Sequence, residues 1–284
     1  MDDKTIKLTI VVVGRNDEHH LWRSLGAAVR EKTDSVEILY VDDCSEDGSV
    51  RVAESLLKDA GTVLSTGVRR GSGGARNLGA GKATGEYVYF HDSDDVLTEG
   101  SVKRILDALV ACRDPDVLLV PFGTIRKEGV QKSFPGPQFE KIESAAFWPV
   151  GPWSAVFRRS LFVPFPENVL AENVVWHFLQ FDRFGTFGKV TGEEPVYLWD
   201  RTNPGATTNT NEYFGTHSMT LEEIVRTNAV ANMGLKDQYI SDNLRNIANM
   251  YDARHKLTKP WVRDAWFQRF LGEVTRLMSG HHAH

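Results

Sequence analysis

Residues 71–95, GSGGARNLGAGKATGEYVYFHDSDD, hold a glycine-rich loop, a helix, a strand and a knot of carboxylates in that order. Gly71, Gly73 and Gly74 admit backbone conformations and close approaches that a side chain would block. Residues 75–83 have the composition of a short, tightly packed helix, and Gly85 stops it. Residues 87–90, Tyr-Val-Tyr-Phe, read as a buried strand, and directly past its end stand His91, Asp92, Ser93, Asp94 and Asp95. Ligands of open α/β sheets collect at that end of a strand.

Three carboxylates in four residues repel one another, so something positive or well-solvating must accompany them. A divalent cation, Mn²⁺ or Mg²⁺, is one answer, because such ions take hard oxygen ligands and share them with substrate phosphates. The other is an acidic loop capping a helix that starts near Thr98 or Glu99.

Working outward, residues 6–13 form an apolar, β-branched run closed by Gly14, and residues 18–30 have helical spacing. Residues 36–41 repeat the strand pattern and run into DDCSEDG, after which residues 50–57 are helical again. A short strand at 62–65, a helix at 101–111 and a strand at 117–122 complete the series. Such alternation predicts an α/β fold with a mainly parallel, doubly wound sheet. After Gly123 the regularity drops. Residues 124–134 suit a hairpin, Pro135, Gly136 and Pro137 punctuate the chain, and WPVGPWSAVFRRSL (148–161) reads as a loop entering a short helix or strand. Residues 170–181 read as helix and 196–199 as strand. From residue 221 onward the pattern is mostly helical, at 227–233, 243–254 and 261–278. The expected division is a domain over 1–210, with halves 1–122 and 123–210, and a C-terminal helical appendage over 211–284.

With 41% hydrophobic and 25% charged residues and a formal net charge of -5, the 284-residue chain has the balance of a soluble globular protein. That charge argues against overall electrostatic capture by nucleic acid. Cys44 and Cys112 lie far apart and outside any CxxC pattern, which points away from a disulfide framework and toward a reducing compartment. The apolar run at 8–13 is too short for a signal sequence or a membrane span. A cytoplasmic location is therefore expected, with peripheral contact to a membrane left open. Residues 251–284 carry six Lys or Arg against three carboxylates, a mild basicity that suits a phosphorylated, lipid-linked or nucleic-acid acceptor, or simply a solvated helical face.

Taken together, LTIVVVGRND, EILYVDDCSEDGS, GGARNLGAGKATGEYVYFHDSDD, GPWSAVFRRSL, AENVVWHF and VYLWDRTNPGATT resemble, in order, the segments of GT-A glycosyltransferases of the family-2 type. The resemblance covers about the first 205 residues. It implies a Rossmann-like GT-A fold and an enzyme that moves a sugar, with inversion, from a nucleoside diphosphate donor to a hydroxyl acceptor. A UDP-sugar is the foremost donor, and glycan, lipid-linked sugar, protein and modified nucleic acid are all open as acceptors. By position, Val13, Arg15 and Asn16 would line the base pocket, Asp43 would bond the nucleobase beside Asp42, and Gly74, Arg76 and Asn77 would face the diphosphate or hold the acidic loop. Asp92 and Ser93 would sit near the ribose, Asp94 with Asp95 would hold Mn²⁺ or Mg²⁺, and Arg201 would reach the phosphates. Trp153, Trp176 and His177 would fall on the acceptor side.

Two positions depart from the family pattern. Arg15 stands where an aromatic residue is common. Asn173 stands where an aspartate usually takes the acceptor's proton, and an amide cannot accept one. Adjacent Glu172 becomes the candidate base, although helical neighbours point about 100° apart; Asp182 and Asp200 are the next carboxylates to consider. Two other readings stay open: a sugar-nucleotide-binding protein without transfer activity, and a nucleotidyltransferase. The last would carry its glycine-rich loop directly after the first strand, where this chain has GRNDEHH.

Overall fold

The computed structural model describes residues 5–133, 151–165, 167, 172, 173, 176, 183–192 and 194–203. Its larger sheet contains four adjacent strands that pair in parallel, β1 (Leu8–Gly14), β2 (Val36–Asp42), β3 (Thr62–Ser65) and β4 (Tyr87–Asp92). Against them lie α1 (Ser24–Arg30), α2 (Ser49–Leu57), α3 (Gly71–Lys82) and α4 (Ser101–Ala111). Two short strands, β5 (Val96–Leu97) and β6 (Val117–Leu119), precede a hairpin of β7 (Phe122–Arg126) and β8 (Gly129–Ser133). Strands β9 (Ala155–Arg158), β10 (Phe187–Lys189) and β11 (Tyr197–Asp200) follow. The large sheet runs β10-β6-β9-β4-β1-β2-β3, with β9 antiparallel between β4 and β6, and a second sheet runs β5-β11-β7-β8.

Strand alternation sorts the core onto two faces. Ile10, Val12, Ile38, Tyr40, Tyr87 and Tyr89 pack with Leu21, Leu25, Ala53, Leu57 and Ile105. Val11, Val13, Leu39, Val41, Val88 and Phe90 pack with Ala75, Ala80, Phe157, Phe165 and Trp176. Both faces are thus covered, which is why the central strands are nearly continuous apolar runs. Helix α3 sits low on its face because Gly79 has no side chain: a Cβ there would overlap the Val11 side chain.

Several expectations are corrected. The glycine-rich stretch is not a loop ahead of the helix; it forms the first turn of α3, with Gly71 at φ 74° and Gly73 and Gly74 buried. The 18–30 helix begins only at Ser24, since residues 18–23 are spent in turns. The apolar run 117–122 is two strands in two sheets. Pro121 cannot donate to a ladder, and its carbonyl instead accepts the Val196 N–H at 2.7 Å where the chain passes between sheets. The hairpin at β7 and β8 agrees with the reading of residues 124–134. The 148–161 segment contributes a 3-10 turn, Pro152–Ser154, and then β9. The expected helices beyond residue 211, His177 and Asp182 lie outside the described residues. Among the described residues no helix is long and apolar enough to cross a membrane.

Candidate functional site

The turns after β1 and β2 are knit into one edge. Arg15 spreads over the second turn, its Nε donating to the Cys44 carbonyl at 3.3 Å and its guanidinium pairing with Glu46 at 3.0 Å. The Asn16 N–H donates to Ser45 Oγ, and the Glu46 N–H returns a bond to Asn16 Oδ1 at 2.8 Å. The Asp17 N–H donates to Ser49 Oγ, the Glu18 N–H to the Asp47 carboxylate and the Gly48 N–H to the Glu18 carboxylate. Asp42 turns back on its own loop and accepts both the N–H and the hydroxyl of Ser45. Arg15, expected at the base pocket, therefore holds this acidic turn.

Asp43 is 5% exposed, and its carboxylate reaches the start of α3. It accepts the Arg70 N–H and the Gly71 N–H, each at 2.8 Å, and the Thr66 hydroxyl at 3.0 Å. An acceptor at a helix N-terminus satisfies donors that have no intrahelical partner and meets the positive end of the helix dipole. This contact explains why the glycine-rich stretch winds into helix. A carboxylate has about four acceptor positions, so one remains beyond these three bonds.

At the end of β4 the four residues diverge. Asp92, half-buried, accepts Arg76 Nη2 at 2.6 Å. Ser93 is buried and donates its hydroxyl to Asp17, under Gly14, where a Cβ would come within 2.6 Å of Ser93 Cβ. Asp94 accepts Asn203 Nδ2 at 3.1 Å; burial, with the charges of Asp92 and Asp17 alongside, pushes its carboxyl up to about 6. Asp95 is turned inward, one oxygen accepting the Tyr197 hydroxyl and the other the Asp200 N–H at 2.6 Å. Of the two residues expected to hold a metal, Asp94 keeps its carboxylate at the strand end, and Asp95 braces the loop from below.

The acceptor-side segment is fastened to α3. Arg76, buried, pairs with Glu172 on one side and Asp92 on the other. Glu172 Oε1 also accepts the Ser72 hydroxyl at 2.8 Å. Asn77 exchanges hydrogen bonds with the Phe165 backbone and donates to Glu167, and Arg70 grips Glu167 with two bonds of 2.8 Å. Gly74 is packed against the Arg70 side chain. Glu172, Asn173 and Trp176 are helical, with Asn173 half-buried.

The two tryptophans expected on the acceptor side are core residues. Trp176 is fully buried, stacks on Phe165 at 4.2 Å and donates its indole N–H to the Val163 carbonyl at 2.6 Å. Trp153 stacks on Tyr197 at 4.7 Å and meets Phe122 edge-on, joining the two sheets. Arg201 is exposed and lies over the Trp199 ring at 4.6 Å. Asp200, a reserve candidate for the base, is held below the usual carboxylate range: burial raises it, but bonds from Thr202 and the Arg23 ion pair at 2.6 Å outweigh that.

Sequence reasoning missed Arg23, Ser72, Asn203 and the bracing role of Tyr197. Arg23 donates to the Asp94 carbonyl at 2.8 Å while pairing with Asp200, so it ties the acidic turn to the end of β11. No local pattern marks it, because it looks like any charged residue beside a helix. Ser72 had a signal: four positions before Arg76, it shares a helix face with it.

Among the described residues no three His, Cys, Asp or Glu side chains are grouped to hold a metal ion by themselves. Asp94 and Asp92, both half-buried and close to like charges, fit an ion that takes one or two protein carboxylates and completes its shell with phosphate oxygens and water.

Residues 9–159 match the model of glycosyl transferase family 2. An uncharacterised glycosyltransferase of Nostoc sp. is 25% identical over 97% of this chain and 89% of its own length. The chain spans 30% of the length of two other curated relatives that it matches. Among solved structures, Staphylococcus aureus TarS residues 1–349 in complex with UDP-GlcNAc superposes with a TM-score of 0.66 at 18% identity, over 89% of this chain and 73% of that one. The mannosyltransferase PcManGT of Pyrobaculum calidifontis, in complex with GDP-Man and Mn²⁺, gives 0.57 at 16% identity, over 95% and 80%.

Proposed function

The chain belongs to glycosyl transferase family 2, and on that premise we propose that it transfers a sugar from a nucleoside diphosphate donor to a hydroxyl acceptor, inverting the anomeric carbon. The observation that carries this reading is the convergence of Asp43, Asp92, Asp94 and Arg76 at the C-terminal ends of β2 and β4 and the start of α3. UDP is the donor nucleotide we favour, because the TarS structure named above holds UDP-GlcNAc. We take residues 1–210 as the catalytic domain.

In this reading Asp43 offers its remaining acceptor position to the base, and Asp92 faces the ribose. Asp94, with Asp92, would hold Mn²⁺ or Mg²⁺, which when bound neutralises charge on the leaving diphosphate. Ser93 and Asp95 set the direction of the acidic turn through Asp17, Tyr197 and Asp200. Glu172 is the proton acceptor. Among the described residues both contacts that anchor it fall on Oε1, and we assign Oε2 to the acceptor hydroxyl.

A specific observation favours a second reading, donor binding without transfer: Asn173 is an amide, and Glu172 is already paired with a buried arginine. A panel of nucleoside diphosphate sugars, tested with Mn²⁺ for binding and slow hydrolysis, addresses both. We expect one sugar nucleotide, UDP-linked, to bind and to be hydrolysed slowly. Binding without hydrolysis or transfer favours the second reading, and no binding by any member defeats both.

A further inference from the structure

Arg76 stands between the two halves of the site. Its guanidinium is buried and gives one nitrogen to Asp92, at the end of β4, and another to Glu172, on the acceptor-side segment. One positive charge is thereby divided between two carboxylates, leaving the trio with a net charge of about -1. The guanidinium carbon lies over the Phe165 ring at 5.5 Å, and Trp176 stacks on Phe165. Ser72 adds a second contact to the same Glu172 oxygen. Nothing in this stack lets Arg76 move toward one carboxylate without loosening its hold on the other.

We propose that Arg76 is a positioning residue that couples the donor pocket to the acceptor segment. A nucleoside diphosphate bound beside Asp92 competes with Glu172 for the one guanidinium, so donor binding loosens the Arg76 to Glu172 pair and releases Glu172 toward the acceptor. This inference rests on the donor reading above and deepens it. Linkage makes the coupling reciprocal: whatever weakens the hold of Glu172 on Arg76 strengthens the donor site.

The test uses the full chain, with UDP and Mn²⁺ as the probe, in titration calorimetry. Glu172→Gln removes one claimant to the guanidinium and should bind UDP on the order of threefold to tenfold more tightly than the wild type. In an Arg76→Met background the same substitution should leave UDP affinity unchanged. Equal affinity of wild type and Glu172→Gln overturns the coupling while leaving the donor reading intact. A tightening that persists without Arg76 overturns it too, because the effect is then ordinary charge repulsion through space. Absence of UDP binding by the wild type defeats the donor reading and the coupling together. Should Arg76→Met fail to fold, hydrogen exchange on the wild type reads the coupling from the other end. UDP with Mn²⁺ should lower amide protection around Glu172, and unchanged protection overturns the proposal.

Discussion

The carboxylate of Asp95 accepts the hydroxyl of Tyr197 across 102 positions of chain, and by that bond the acidic turn after β4 is joined to β11. Both groups are buried, and burial raises the Asp95 carboxyl well above the usual range, with Asp94 and Asp92 adding to the effect. Tyr197→Phe keeps the ring that stacks on Trp153 and removes only the hydroxyl. The expected loss is about 1 to 3 kcal/mol, the cost of an unsatisfied buried acceptor. Thermal unfolding measures it, and an unchanged midpoint would show that the bond contributes nothing.

Asp94 makes stability depend on pH in a defined direction. Its carboxyl stands at about 6 in the folded chain, above the usual aspartate value of about 3.9. The folded state thus holds the proton where the unfolded state has lost it, so stability falls as pH rises from about 4 and levels off above about 6. The drop amounts to at most about 3 kcal/mol, and Asp94→Asn should reduce the slope. Denaturation in chelator across this window supplies the measurement. Mn²⁺ should stabilise the protein more at pH 7 than at pH 5, since it binds the ionised carboxylate.

Asp43→Ala should weaken UDP binding and fray the start of α3 together. Three donors lose their acceptor at once: Thr66, Arg70 and Gly71. Hydrogen exchange should show lost protection confined to the first turn of α3. Full protection with full affinity would remove Asp43 from both roles.

Glu172→Gln should slow sugar transfer by roughly 10² to 10⁴, the range for loss of a general base, without weakening the donor. Asn173→Asp restores the family's carboxylate; a gain in transfer would mark the wild type as an enzyme working with a displaced base. A Glu172→Gln variant with the wild-type transfer rate would rule Glu172 out.

Strands β1, β2 and β4 were legible because each is a buried run of β-branched and aromatic residues followed by polar turns, a local signal that tertiary contacts only reinforce. Asp92 and Asp94 were legible for a similar reason, since strand and acidic turn are contiguous. What escaped was set by distant partners. The glycine-rich stretch reads as loop in isolation and becomes helix because Asp43, 28 positions earlier, accepts the Gly71 N–H. Trp153 and Trp176 read as acceptor-side residues, and only the neighbours Tyr197 and Phe165 mark them as core. Arg23 and Asn203 meet at Asp94 from opposite ends of the described chain, a meeting no local pattern announces.

The reciprocal bonding between the turns after β1 and β2 bears on how this scaffold can be re-engineered. Each turn supplies the hydrogen-bond partners of the other: Asn16 with Ser45 and Glu46, Glu18 with Asp47 and Gly48, Arg15 with Cys44. Grafting one turn from a relative with a different nucleotide preference would strand polar groups on its neighbour. The two turns form a single transplantable cassette, and a change of donor made through this edge requires moving residues 14–18 and 42–49 together.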